Sequence, residues 1–242
     1  CEEWPVLAAL KSYQQAERAV ESLQARTPRV HIVVCHCKES LEWLADGHFH
    51  LPAKDRARMS LFVYEKCGQS EDPGPLSAPY ERVSVIPVKD GDVRRDECSA
   101  YLRHLVDHYS DPADYTFFFQ ADASDHMQWE YLSLVTRAIE QHALQAPFVH
   151  LNHPRLVSSL SPCREEVFKL VFDRLPDRTI GSYCCAQFVV SRERVLANPL
   201  ARYKKMLQML FEDSPKQCHD IPGHSTHCLM YEVYWHVLFG EA

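Results

Sequence analysis

Tyr115-Thr116-Phe117-Phe118-Phe119-Gln120-Ala121-Asp122-Ala123-Ser124-Asp125-His126 is the stretch that decides how this chain folds. Thr116 to Phe119 is short, apolar and aromatic, the pattern of a strand buried on both faces and central in a sheet. Asp111-Pro112 sets a turn ahead of it. Asp122, Asp125 and His126 follow at once, at the strand's C-terminal end. Ligands sit at that edge of open α/β sheets, and two carboxylates with an imidazole there suit a divalent metal. The plainer alternative is an aspartate or Ser124 capping the next helix.

The same pattern extends outward on both sides. Upstream, Val30 to Cys35, Ser60 to Tyr64 and Arg82 to Val88 read as strands, the first followed by a short helix with Leu41, Trp43 and Leu44. Tyr101, Leu102, Leu105, Val106 and Tyr109 mark one face of a helix. Arg94 and Asp96 read as the charged start of that helix. Downstream, Trp129, Leu132, Val135 and Ile139 mark the next helix. Pro147 to Leu151 and Ser182 to Val190 read as strands, and Arg164 to Leu175 as a helix. Further helices begin after Ser191 and at Asn198-Pro199, and Leu229 to Phe239 closes the chain. This alternation predicts a single α/β domain over residues 30–242, with a mostly parallel central sheet flanked by helices. Pro5 to Arg26 adds an amphipathic helix, so residues 1–29 form an N-terminal extension. Glu212 to His227 is long and aperiodic, the character of a lid or binding loop.

Composition excludes several classes. The 242 residues carry a formal net charge of −7, 46% hydrophobic and 11% aromatic residues and only 7 Gly, which argues for a packed core and against disorder. No lysine and arginine run interleaves with aromatics, so no nucleic-acid partner is expected. No apolar run approaches the ~18 residues of a membrane helix. The sequence begins at Cys1 without methionine, and the expectation is a leader or anchor trimmed away. Ten cysteines point to disulfides and so to the secretory pathway, with the Golgi lumen as the expected site. Cys35 and Cys185 lie in apolar strands and read as buried thiols.

Two polar constellations remain. Glu232 and His236 are four residues apart on the last helix and share a face. Met230, Val233, Tyr234 and Val237 form a roughly opposite apolar face, so the pair is expected to point toward solvent or a cleft. Cys218, His219, His224, His227 and Cys228 form the second cluster, but their spacing fits no closed zinc module. No glycine-rich phosphate loop and no Gly-x-Ser-x-Gly elbow is present, which disfavours a Rossmann cofactor site and an α/β-hydrolase.

From Val30 to Gly240 the chain resembles a little-characterised domain family that is itself similar to nucleotide-sugar glycosyltransferases of the GT-A fold. The matching segments are Val33 to Glu39 with Trp43-Leu44; Val63 to Gly68; Glu97 with Tyr101-Leu102; Phe117 to His126; Ala186 to Arg194; and Glu232 with Trp235 to Gly240. Two places depart from the family pattern. Asp92 to Glu97 lacks the family's glycine, which removes the basis for a ligand-facing Arg95, and Ala121 replaces a frequent glycine. The resemblance implies a GT-A-like (Rossmann-like) domain that moves a sugar from a nucleotide-diphosphate donor, a UDP-sugar being expected, to a hydroxyl on a glycan, protein or small molecule. It implies Mn²⁺ or Mg²⁺ held by Asp122, Asp125 and His236, a metal acting as Lewis acid, and Glu232 as the base. It also implies a donor pocket formed by Glu39, Lys66, Glu97, Gln120, His126, Gln187 and Trp235. The alternatives are a non-catalytic binding domain of the same fold and a metal-dependent hydrolase.

Overall fold

The computed structural model describes residues 27–45, 58–68, 76, 80–152, 161–176, 185–220 and 222–240. The N-terminal helix expected over Pro5 to Arg26 lies outside them. In chain order the elements are β1 (Val30–His36), α1 (Glu42–Ala45), β2 (Met59–Glu65), β3 (Arg82–Pro87), α2 (Cys98–Asp107) and β4 (Tyr115–Gln120). A 3-10 turn at Ala123–Asp125 leads to α3 (Trp129–Glu140), β5 (Phe148–His150), α4 (Pro162–Phe172), β6 (Phe188–Ser191), α5 (Arg192–Ala197), α6 (Leu200–Met209) and α7 (Thr226–Leu238).

The strands form one mixed sheet in the order β3-β2-β1-β4-β6-β5. β3, β2, β1 and β4 are parallel neighbours, and β6 runs antiparallel to both β4 and β5. The aromatic run of β4 therefore sits inside the sheet, as its pattern predicts. Alternation places Phe117 and Phe119 on one face and Phe118 on the other. Phe118 joins Val33, Phe62, Tyr64 and Phe188 in a core covered by α2, α4, α6 and α7. Phe117 and Phe119 join Ile32, Val34, Leu61 and Val63 in a second core under α1 and α3. A buried phenylalanine contributes roughly 1.5–3 kcal/mol relative to exposure, so three in succession anchor β4 from both sides.

The antiparallel β6 has a functional consequence. Its first residues lie beside the last residues of β4, with Phe188 opposite Phe118. Ala186 and Gln187 are thereby carried to the edge where the parallel strands end. The strand is shorter than the sequence pattern predicts, since Ala186 and Gln187 precede the ladder.

α7 departs from the amphipathic reading. Its buried residues include His227, Cys228, Tyr231, Val233, Tyr234, Trp235, His236 and Leu238, so the helix is enclosed nearly all round. Met230 and Val237, expected on its apolar face, are only partly buried. A sequence stripe shows where a helix is greasiest, and it cannot show how many neighbours cover it.

Three disulfides brace the described residues: Cys37–Cys67, Cys98–Cys228 and Cys163–Cys218. Cys35 and Cys185 are not in disulfides. The segment Glu212 to His227 is pinned rather than loose. Cys218 is bonded to Cys163, the Gln217 N–H donates to Glu166 Oε2 at 2.7 Å, and Arg94 exchanges backbone hydrogen bonds with Gly223 and Ser225. None of its described residues lines the cleft described below, so the lid expectation is not met among them.

Candidate functional site

A cleft of about 370 Å³ opens where β1, β2 and β4 end. Strand order reverses between β1 and β4, because the chain builds β2 and β3 to one side of β1 and then crosses to place β4 on the other. Such a switch point leaves a crevice outside the carboxyl ends of the strands, where α/β proteins bind ligands.

Each wall comes from one strand end. After β1, the Glu39 carboxylate accepts the N–H groups of Cys37 (2.8 Å) and Lys38 (2.9 Å), folding that loop onto itself. Partial burial pushes the Glu39 pKa up, but the backbone donors outweigh it and hold the group below its ordinary value. After β2, Lys66 is ion-paired to Asp90 at 2.5 Å, and its ammonium also donates to the Asp96 carbonyl. Asp96 has φ +36°, a left-handed backbone that is costly for a residue with a Cβ. In that conformation its carbonyl also receives the Cys35 thiol at 3.6 Å, and its carboxylate meets His224 Nδ1 at 3.1 Å.

After β4, Gln120 and Asp122 line the cleft. The loop is held from two sides: Trp43 Nε1 donates to the Ala121 carbonyl at 2.7 Å, and Gln187 Nε2 to the Ala123 carbonyl at 3.3 Å. Asp122 is exposed there. The Asp125 N–H donates to the Asp122 carbonyl at 3.0 Å, which makes the 3-10 turn. No side-chain cap is formed by Asp122, so the capping alternative does not describe it.

Glu97 forms the inner wall at the start of α2 and is 3% exposed. Gln120 Nε2 lies 3.4 Å from its Oε2. Glu232 comes from α7, and its carboxyl lies against that of Glu97. Burial first, then the charges of Glu97 and Asp96, push the Glu232 carboxyl strongly upward. Burial likewise raises Glu97.

The structure therefore brings Glu39, Lys66, Glu97, Gln120 and Asp122 to one cleft, with Glu232 behind its wall. It leaves the other sequence candidates elsewhere. Trp235 is 1% exposed and packs among Tyr101, Phe188, Tyr231 and Phe239. It is a core residue, because α7 is covered on the side that the sequence reading left open. Gln187 is fully buried and braces the Asp122 loop from beneath. His126 sits beside the Cys185 thiol at 3.8 Å, away from the cleft lining. His236 is 6% exposed and lies near His150 of β5, whose pKa falls to about 4 through burial and then the neighbouring His236. The ligand atoms of Asp122, Asp125 and His236 do not converge: among the described residues the only gathered trio of such groups is Glu97, Cys98 and Cys228, and those two cysteines are bonded to each other. Cys218 and Cys228 are likewise spent in disulfides, which removes any zinc cluster there.

Several cleft residues escaped the sequence reading. Asp90, Arg94 and Asp96 line it, although Arg94 and Asp96 read as a solvated helix start. The signal was available: β3 is parallel to β2, so the segment after it must end at the same edge. Arg95 points the other way. Its guanidinium donates to the Leu210 and Val93 carbonyls and lies 4.0 Å over the Phe211 ring, a structural role consistent with the missing glycine.

Fold and cleft together define a single α/β domain with a ligand crevice at the switch point of a mixed sheet. The chain belongs to a family described as protein of unknown function (DUF3431), whose model matches residues 32–242. No curated protein matches it. Among solved structures it is similar to a glucosyl-3-phosphoglycerate synthase from Mycobacterium tuberculosis, at 11% identity and TM-score 0.35, over 79% of this chain and 68% of the synthase. The same synthase in complex with UDP matches at 13% identity and TM-score 0.37, over 78% and 66%. A further mycobacterial protein matches at 13% identity and TM-score 0.33, over 72% of this chain and 56% of that one. The chain thus spans about two thirds of the synthase's length.

Proposed function

We propose that this chain transfers a sugar from a nucleotide-diphosphate donor to an acceptor hydroxyl, with a divalent metal. The observation that carries the reading is the switch-point cleft with Asp122 exposed at the end of β4 and Glu97 in its inner wall. The order and spacing of the GT-A-like segments support the same reading, and GT-A donors bind at that edge.

The electrostatics of the cleft support the metal. Six acidic side chains line it: Glu39, Asp90, Asp92, Asp96, Glu97 and Asp122. Lys66 is already paired with Asp90, and Arg94 is the other cation among the lining residues. A diphosphate would meet net repulsion there unless a divalent cation entered with it. Carboxylate oxygens suit Mg²⁺ or Mn²⁺, which take few protein ligands and fill the rest of their shell with water and phosphate oxygens. Asp122 is the residue we assign to the metal, without Asp125 or His236. Bound there, the ion would offset charge on the leaving diphosphate. Glu39 and Lys66 would border the nucleotide, and Gln120 and Glu97 the sugar. The three disulfides favour an oxidising compartment, consistent with a place in the secretory pathway.

A metal-dependent rise in thermal stability with UDP-sugars tests this directly. Wild type should be stabilised by a UDP-sugar with Mn²⁺ and not without it, and Asp122→Asn should lose the Mn²⁺ dependence while keeping its unliganded Tm. The dispersed positions of Asp125 and His236 favour a rival, a binding domain without transfer. That rival binds the donor and releases no UDP with any acceptor, whereas a hydrolase releases UDP with none.

A further inference from the structure

Glu97 stands at the start of α2 and Glu232 in the second turn of α7. The Cys98–Cys228 disulfide ties those two helix starts together, beside both carboxyl groups. Glu97 Oε2 has Gln120 Nε2 as its neighbour. Its other oxygen, Oε1, is buried and makes no hydrogen bond among the described residues. What lies against Glu97 instead is the carboxyl of Glu232. Two ionised carboxylates in a buried contact repel strongly, and Asp96 adds to the repulsion, while the Cys185 N–H at Glu232, and Gln120, the Glu97 N–H and Lys66 at Glu97, oppose it only in part. One proton held between them removes the repulsion and satisfies Oε1. Burial acts in the same direction on both groups, raising each above the ordinary carboxyl range.

We propose that Glu97 and Glu232 form a proton-sharing carboxyl dyad that takes the acceptor hydroxyl's proton, Glu97 facing the cleft and Glu232 standing behind it. This rests on the transferase reading and changes its base from Glu232 to Glu97. At neutral pH the dyad carries one proton and one negative charge. In the transfer step the acceptor O–H bond breaks and its proton passes to Glu97. The acceptor oxygen bonds to the anomeric carbon. The bond from that carbon to the diphosphate oxygen breaks, and its electron pair leaves with the nucleoside diphosphate. The dyad then holds two protons and returns one to water. Glu232 touches no substrate; it is a positioning residue that keeps the pair singly protonated near neutrality, where a base works best.

Two measurements on the intact chain test the dyad. Infrared spectra should show a protonated, buried carboxyl at pH 7 in wild type, lost in both Glu97→Gln and Glu232→Gln. UDP release from a UDP-sugar with Mn²⁺ and glycerol as a simple hydroxyl acceptor should follow a bell-shaped pH profile in wild type. Glu97→Gln should lose at least about 100-fold in kcat with UDP affinity unchanged, the range typical of a lost acid–base group. Glu232→Gln should lose less in kcat than Glu97→Gln, lose the alkaline limb and move its acid limb to lower pH, because a fixed amide donor favours the ionised form of Glu97. A structural pair would leave the limbs where they are. Absence of the infrared band overturns the dyad, and wild-type kcat in Glu97→Gln overturns its role as base. Failure of wild type to bind UDP-sugars with Mn²⁺ overturns the transferase reading and the base role with it, while the band alone still decides the shared proton.

Discussion

Two buried polar clusters occupy the two ends of α2. At its start Glu97 meets Glu232 beside the cleft. Toward its end His104 meets His31, with Nδ1 of His31 3.2 Å from Nε2 of His104, and the Tyr64 hydroxyl lies 3.1 Å from the other His104 nitrogen. His108 stacks nearby, 4.4 Å between ring centroids, and Phe62 packs against all three imidazoles. In both clusters desolvation disfavours charge: the carboxyl groups are pushed up and the imidazoles down. Only one of them touches the cleft. Perturbed titration is thus shared by a candidate site and by a purely internal network. The strand edge on which a cluster opens is what separates the two.

The largest expected effect removes the link on which the acidic cluster is built. Cys98 and Cys228 are 130 residues apart in sequence, and closing a loop of that length limits the unfolded chain most. Cys98→Ala with Cys228→Ala should cost about 4 kcal/mol in denaturant unfolding. It should also weaken the infrared signature of the Glu97–Glu232 pair while leaving the histidine cluster intact. Unchanged stability would mean that packing of α2 on α7 suffices alone.

Acid titration probes the other end. His31 is held neutral first by burial, then by His108 and Arg29, and its pKa falls from 6.5 to about 4. As pH falls, the unfolded chain takes up this proton before the folded one does. The stabilisation is complete above pH 6.5 and is lost progressively down to about 4, by roughly 3 kcal/mol from this group. Unfolding free energies measured at pH 7 and pH 4 should show the loss, and His31→Phe should reduce it. An equal loss in that variant would place the acid sensitivity elsewhere.

The smallest effect separates two carboxyl groups of the same cleft. Glu39 is exposed and served by two backbone N–H groups, and its pKa moves down while that of Glu97 moves up. Glu39→Gln should cost about 1 kcal/mol at pH 7, the scale of a hydrogen bond to a charged acceptor on an open loop. The difference from wild type should shrink as pH falls below the ordinary carboxyl range and Glu39 takes up its proton. A difference that persists there would assign the cost to packing rather than charge.

The sequence by itself determined the layout. Three phenylalanines in succession required a strand with both faces covered. The alternation of strand and helix required a mostly parallel sheet whose ends share one edge. Glu39, Lys66 and Asp122 were legible for that reason, because each directly follows a strand. The misplaced residues lay where direction depends on distant neighbours. Trp235 and His236 turned inward because α7 is covered by the sheet, α2 and α4 at once, which no periodicity within the helix encodes. Arg94 and Asp96 turned toward the cleft because backbone hydrogen bonds to Gly223 and Ser225 hold their loop. The contact between Glu97 and Glu232 was decided by tertiary structure alone: 135 positions separate them, and the proton they share exists only because the fold removes water from both.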